Sequence, residues 1–179
     1  MKKKILLFSV CLLLLLTTAC GLGDTPTSSV ERLLARYNNQ DEEIMVELDD
    51  YINDNNLTDE QNSQYKDIYT RQFKNMKYEI KEEFVDGDTA RVIAQITVYD
   101  YYTVDKDSRT YLEQNMNDFM KDGVYDESLY VDYKLKQMKS TDKTVDYTIE
   151  FNLSKVNNEW QVNELTNDQL EKIHGVYAY

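Results

Sequence analysis

One proline, one histidine, two cysteines and five glycines are all that 179 residues contain of the side chains that usually mark turns, metal sites and disulfides. Each scarcity excludes something. A lone histidine, His174, cannot assemble the nitrogen and sulfur ligands of a zinc centre with Cys11 and Cys20 alone. Five glycines include no Gly-rich run, so no loop is built to cradle phosphates. No Gly-x-Ser-x-Gly elbow occurs, which removes the usual nucleophilic-serine arrangement. No cofactor is therefore expected. Basic residues are also short: 20 Lys and Arg face 33 Asp and Glu, a formal net charge of -13. Nucleic acid needs clustered Lys and Arg, so it is excluded as a partner. The acids stand in ones and twos along the chain, which describes a solvated surface more than a cation trap. With 15 tyrosines and almost no proline, the chain reads as folded, not as a disordered stalk.

What is present begins with Lys2-Lys3-Lys4, the apolar run Ile5 to Leu16, and Thr17-Thr18-Ala19-Cys20. A charged start, a short apolar core and small residues before a cleavage point make a secretory signal. The core is too short to cross a bilayer, which takes about 20 helical residues. Its ending resembles a lipobox, in which bacterial lipoprotein processing adds a diacylglyceryl group to the cysteine and cleaves before it. Thr17 stands where Leu is commonest, with Leu16 one position further back. The resemblance implies residues 1–19 as signal peptide, Cys20 as the lipidated residue and 20–24 as a short tether. Each buried CH₂ contributes ~0.8 kcal/mol, and two acyl chains anchor stably where one does not. The expected location is the extracytoplasmic face of the cell membrane, with the membrane itself the first partner. Loss of Cys11 with the signal leaves Cys20 as the only cysteine, so the domain folds without a disulfide.

Residues 25–179 fit one domain. Thr25-Pro26 reads as an N-cap and first helical residue, followed by Val30, Leu33, Leu34 and Tyr37 at helical spacing. Asp41 opens a second helix carrying Ile44, Met45, Leu48 and Ile52, which Asn53 to Asn56 breaks. Thr58 with Gln61 forms a capping box for a third, with Tyr65, Ile68, Tyr69, Phe73 and Met76 along it. From about Lys77 the period becomes two. Tyr78, Ile80 and Phe84 lie on one strand, Asp86-Gly87 marks a hairpin, and Ala90 to Val98 alternate on the return strand, which is expected to run into Tyr99-Asp100-Tyr101-Tyr102. Leu112, Met116, Phe119 and Met120 suggest a helix closed by Gly123. Val131, Leu135 and Met138 suggest another, although Leu129 to Leu135 also fits alternation. Val145 to Leu153 is the clearest strand, Asn157-Asn158 a turn, Trp160-Gln161-Val162 its return, and Thr166 to Gly175 a last capped helix.

The expected fold class is α+β: N-terminal helices on one face of a curved antiparallel sheet of about four strands, with a helical insertion between two hairpins and a short C-terminal helix. This order resembles the NTF2-like and cystatin-like folds, in which a curved sheet can enclose a conical pocket. Several stretches also resemble a group of uncharacterised lipoproteins of low-GC Gram-positive bacteria. They are Thr25-Pro26 with Val30-Glu31, Lys77-Tyr78-Glu79-Ile80, Asp86-Gly87-Asp88-Thr89-Ala90, Val98-Tyr99-Asp100-Tyr101-Tyr102, Trp160, and Lys172-Ile173-His174-Gly175. That resemblance implies a fold and a location and carries over no catalytic residue.

Candidate chemistry is sparse. His174, in the last turn before Gly175, is expected to act as a cation at a helix C-terminus. Asp105-Lys106-Asp107 begins like a calcium loop, but the sixth-position Gly is missing and Met116 stands at the twelfth, so no metal site is expected. The resemblance to NTF2-like enzymes, which pair a carboxylate with Tyr donors inside the cone, singles out Tyr78, Tyr99, Asp100, Tyr101, Tyr102 and Tyr147. Aromatic residues on strands ordinarily pack, and packing is the preferred role here. The preferred function is a non-enzymatic binding or interaction module at the cell surface. The alternative is a small-pocket NTF2-like enzyme, or a small-ligand binder, using carboxylate and tyrosine groups. About five peptide units separate Cys20 from the first helix, a reach of roughly 20 Å, so the expected partner is an envelope protein at the membrane surface or a small solute.

Overall fold

The computed structural model describes residues 24–53 and 57–179. The expected signal peptide (1–19), Cys20 and, of the expected break at 53–56, all but Asn53, which ends a helix, lie outside them. The described residues form an α+β domain. Helices α1 (Pro26–Asn39), α2 (Glu42–Asn53) and α3 (Asp59–Asn75) precede strands β1 (Lys77–Asp86) and β2 (Thr89–Tyr99). An insertion follows, made of α4 (Tyr101–Gln114), a 3-10 turn (Met116–Phe119), a ribbon of β3 (Met120–Lys121) and β4 (Val124–Tyr125), and α5 (Glu127–Ser140). Strands β5 (Thr144–Val156) and β6 (Glu159–Val162) and helix α6 (Asn167–His174) complete the chain.

The main sheet is antiparallel with order β1-β2-β5-β6. Alternation decides its faces. Val92, Ala94, Ile96 and Val98 of β2 and Tyr147, Ile149, Phe151 and Leu153 of β5 are all buried on one side. Thr144, Asp146, Thr148, Glu150 and Asn152 face solvent on the other, where Asp146 accepts hydrogen bonds from Gln95 and Thr97. Helices cover only the apolar face: Val30 and Leu34 of α1, Leu48 of α2, Ile68 and Phe73 of α3, Leu135 of α5 and Ile173 of α6 pack into one core with it. The cone that such a sheet could enclose is filled by these side chains.

The capping boxes expected at Thr58 and Thr166 start α3 and α6, and the expected N-cap Thr25 forms a further box with Ser28 at the start of α1. The two hairpins turn at Gly87 (φ 59°) and at Asn157-Asn158 (φ 52° and 69°). Val131, Leu135 and Met138 align on α5, settling that stretch as helix. One detail of β1 was not legible. A bulge between Ile80 and Glu82 shifts the register, so Phe84 pairs with Arg91 on the wet face, where the guanidinium sits 4.7 Å from its ring centroid.

Two expectations are corrected. The return strand stops at Tyr99. Asp100 caps α4 by accepting from the Thr103 N–H at 3.0 Å, and Tyr101-Tyr102 are the first residues of that helix. A carboxylate that can bond the third following N–H favours a helix start over a strand end. The helix expected through Met120 ends at Gln114, where Asn115 Nδ2 donates back to the Tyr111 carbonyl at 2.9 Å. Gly123 (φ 82°), with Asp122 (φ 53°), turns the β3–β4 ribbon and closes no helix. Buried Phe119 pins this excursion against Tyr111, Tyr130 and Tyr133.

Candidate functional site: a tyrosine-walled cavity between helices

Tyrosines 65 and 69 are one turn apart on α3, and Tyr101, Asp105 and Arg109 are each one turn apart on α4. Lys134 and Met138 repeat the spacing on α5. With Tyr51 and Ile52 at the end of α2, and with Tyr102 and Val176, they enclose a cavity of about 260 Å³. Its position is between the helices, away from the sheet.

The aromatic wall is fixed by ring contacts. Tyr69, 2 % exposed, meets Tyr51 and Tyr101 edge-on at 5.9 and 6.0 Å and stacks with Tyr65 at 6.2 Å. The Tyr101 hydroxyl donates to the Ile68 carbonyl at 3.3 Å. Burial pushes the phenols of Tyr69 and Tyr101 well up, so both are neutral donors at any ordinary pH.

The polar end has three charges. Arg109 Nε donates to Asp105 Oδ2 at 2.7 Å, and Lys134 Nζ stands 3.6 Å from Asp105 Oδ1. Burial alone would lower the Lys134 ammonium; the Tyr65 hydroxyl and the Asp105 carboxylate more than offset this and hold it above its ordinary value. Lys134 is therefore a charged group inside the protein, with its side chain 20 % exposed. Asp105 and Asp107, once readable as the start of a calcium loop, stand on a helix, which cannot wrap a cation as a loop does.

Of the residues singled out from sequence, Tyr101 and Tyr102 line this cavity, and the other four do not. Tyr78 is half-buried on β1 opposite Ile96, within the sheet. Tyr99 lies under the Arg71 guanidinium, 4.0 Å from its ring centroid. Tyr147 donates to the Tyr177 carbonyl at 2.8 Å. Asp100 is buried, and its carboxylate accepts from the Thr103 N–H and, at 2.9 Å, from the Tyr179 hydroxyl. Both oxygens hold structural bonds and neither faces the cavity.

His174 is also corrected. It packs against Tyr51, Tyr69 and Phe73, with ring centroids 4.9, 5.1 and 5.7 Å away. Burial lowers its pKa from 6.5 to about 4, so at neutral pH it brings no cation to the helix end. Gly175 (φ 76°) caps α6 as expected.

Sequence reasoning missed Tyr51, Tyr65, Tyr69, Asp105, Arg109 and Lys134 as one set. The helical spacing of Tyr101, Asp105 and Arg109 was a usable signal, hidden by assigning Tyr101 to a strand. A search for relatives adds no constraint on the site: the chain matches no protein-family model, no curated protein and no solved structure.

Proposed function

We propose that this protein is a lipid-anchored, non-enzymatic binding module on the extracytoplasmic face of the cell membrane, and that it holds a small solute in the tyrosine-walled cavity. The observation that carries the binding reading is the cavity itself: five tyrosines around one space, with a half-buried ammonium and an arginine at its polar end. Ligand sites are typically apolar or aromatic concavities with a few convergent polar groups, running from about 300 Å³ upward. A volume near 260 Å³ stands just below that range and fits a small molecule, not a polymer.

The anchor rests on the signal and lipobox residues, with Cys20 as the lipidated position. One contact supports a short leash. Asp24 accepts from the Trp160 N–H at 2.6 Å and lies 3.7 Å from Arg32, so the chain is already held to β6 and α1 four residues after Cys20. Four peptide units reach at most about 14 Å. A body held that close to the head groups suits a diffusing solute or a neighbouring envelope protein.

Two measurements test the proposal. Cys20→Ala should abolish acyl labelling and membrane retention of the mature form; a variant still labelled and retained would refute the anchor. Phenol, benzoate and benzylamine at millimolar concentrations, followed through tyrosine ring resonances, should include at least one that shifts the rings of Tyr65 and Tyr102. Failure of all three to shift them would refute the cavity as a binding site.

A further inference from the structure

We infer that the ligand of the helical cavity is a small ring compound carrying a single negative charge, with its ring between the tyrosines and its anionic group on Lys134 and Arg109. The inference rests on the binding role proposed above and adds the chemical class.

Charge counting at the polar end decides the sign. In a chain of formal net charge -13, this cavity has two cations and one carboxylate on its walls. Asp105 is shared: it holds Arg109 Nε at 2.7 Å, and Lys134 reaches it only at 3.6 Å, beyond a good hydrogen bond. One positive charge is left over. Of the Arg109 fork, only Nε is engaged among the described residues, and the side chain is 70 % exposed, so its remaining N–H groups are available at the mouth. The buried hydroxyl of Tyr130, one turn before Lys134 on α5, finds no hydrogen-bond partner among the described residues and lies within electrostatic range of the same three charges. A cation ligand would meet Lys134 and Arg109 as like charges. A neutral one would leave the ammonium as it stands. An anion completes it with a charge-assisted bond, the strongest kind of polar contact open to this site.

Shape decides the remainder. Tyr65, Tyr69 and Tyr101 line the cavity and already meet one another by stacked and edge-on contacts, the same kinds of contact by which a flat ring packs against tyrosine. The volume, near 260 Å³, holds one such ring with a short substituent and excludes a fused polycycle with a long tail. The neighbouring groove of about 400 Å³, bordered by Leu33, Leu48 and Leu165, contrasts with it. Arg36 shares that groove's lining with Glu47 and Glu164, and its guanidinium is already paired with Asp41 and Glu43, so the groove has no free cation to offer.

The test compares benzoate, benzamide and benzylamine, which share a ring and differ in charge, by titration against the domain with tyrosine ring shifts as the readout. Benzoate should bind at least tenfold more tightly than the other two, the usual worth of a charge-assisted hydrogen bond. Lys134→Met and Arg109→Gln should each weaken benzoate by roughly tenfold and benzamide much less. Should Lys134→Met fail to fold, Arg109→Gln decides alone, since that side chain is exposed. Benzamide or benzylamine binding as tightly as benzoate, or benzoate binding unchanged in Arg109→Gln, would overturn the charge assignment while leaving the binding site intact. Absence of binding by all three would instead remove the binding role itself.

Discussion

The side-chain amide of Gln72 takes the place of a missing strand beside Tyr99. Its Oε1 accepts from the Tyr99 N–H at 2.8 Å, and its Nε2 donates to the Tyr99 carbonyl at 3.3 Å. The need arises because β1 begins opposite Thr97, two residues short of the end of β2. Gln72 is fully buried, so without it the edge of Tyr99 would face the core with both polar groups unpaired. Helix α3 is thereby joined to the point where the sheet hands over to α4, and α4 forms part of the cavity wall.

Replacing Gln72 with Leu should lower stability by roughly 2–6 kcal/mol, because two buried backbone groups lose partners at about 1–3 kcal/mol each. Urea unfolding measures this directly. A loss below about 1 kcal/mol would mean that water or a rearranged side chain satisfies Tyr99.

Gly175 sits against the same junction. A Cβ there would stand 2.1 Å from the Tyr99 carbonyl oxygen and 2.4 Å from Gln72 Nε2, on a residue with φ of +76°. Gly175→Ala should therefore cost roughly 3 kcal/mol or more, combining left-handed strain with a backbone clash. Gly87→Ala shares the positive φ but meets nothing within 4 Å, and should cost only ~1 kcal/mol. Equal losses in the two variants would show that the clash relaxes freely.

His174 makes stability depend on pH. Its folded-state pKa, about 4, lies below the ordinary 6.5, so the unfolded chain takes up the proton first. The neutral imidazole's contribution is complete above pH 6.5 and is lost as pH falls from there toward 4. Over that window the loss amounts to roughly 3 kcal/mol. Between pH 6.5 and 4 the native chain should lose roughly 3 kcal/mol relative to His174→Phe, read from denaturant unfolding of both at successive pH values. Parallel curves would contradict the assignment, since carboxylate titration is common to both.

Asp100 separates a capping role from a catalytic one. Asp100→Ala should cost about 1–2 kcal/mol through loss of the α4 cap and the bond from Tyr179. Asp100→Asn should cost much less, because an Asn side chain caps nearly as well. Thermal unfolding gives the order. An Asn variant as unstable as the Ala variant would show that the negative charge, and not the cap, is what the site requires.

The capping boxes at Thr58 and Thr166, the period-two face of β5 and the turn at Asn157-Asn158 were legible because each depends on residues a few positions apart. The cavity was not. Tyr51, Tyr65, Tyr102 and Lys134 come from four helices, and nothing local brings them together. Asp100 shows where local reading failed: Val98 to Tyr102 continues an alternating pattern, yet the carboxylate beside the Thr103 N–H starts a helix. The bulge after Ile80 is similar, since one extra residue reverses the side of Phe84 without changing the composition of the strand.

By itself, then, the sequence determined the α+β class, the order of helices and hairpins and the apolar face of the sheet. These follow from periodicity, capping and composition, which act within a turn or a strand. Only the tertiary structure decided that His174 is a neutral ring among aromatics and that Asp100 is a cap. It also decided that Lys134 is a half-buried cation sharing Asp105 with Arg109. Burial, and the distance between groups far apart in the chain, set charge state and partner, and both arise only once the helices have packed.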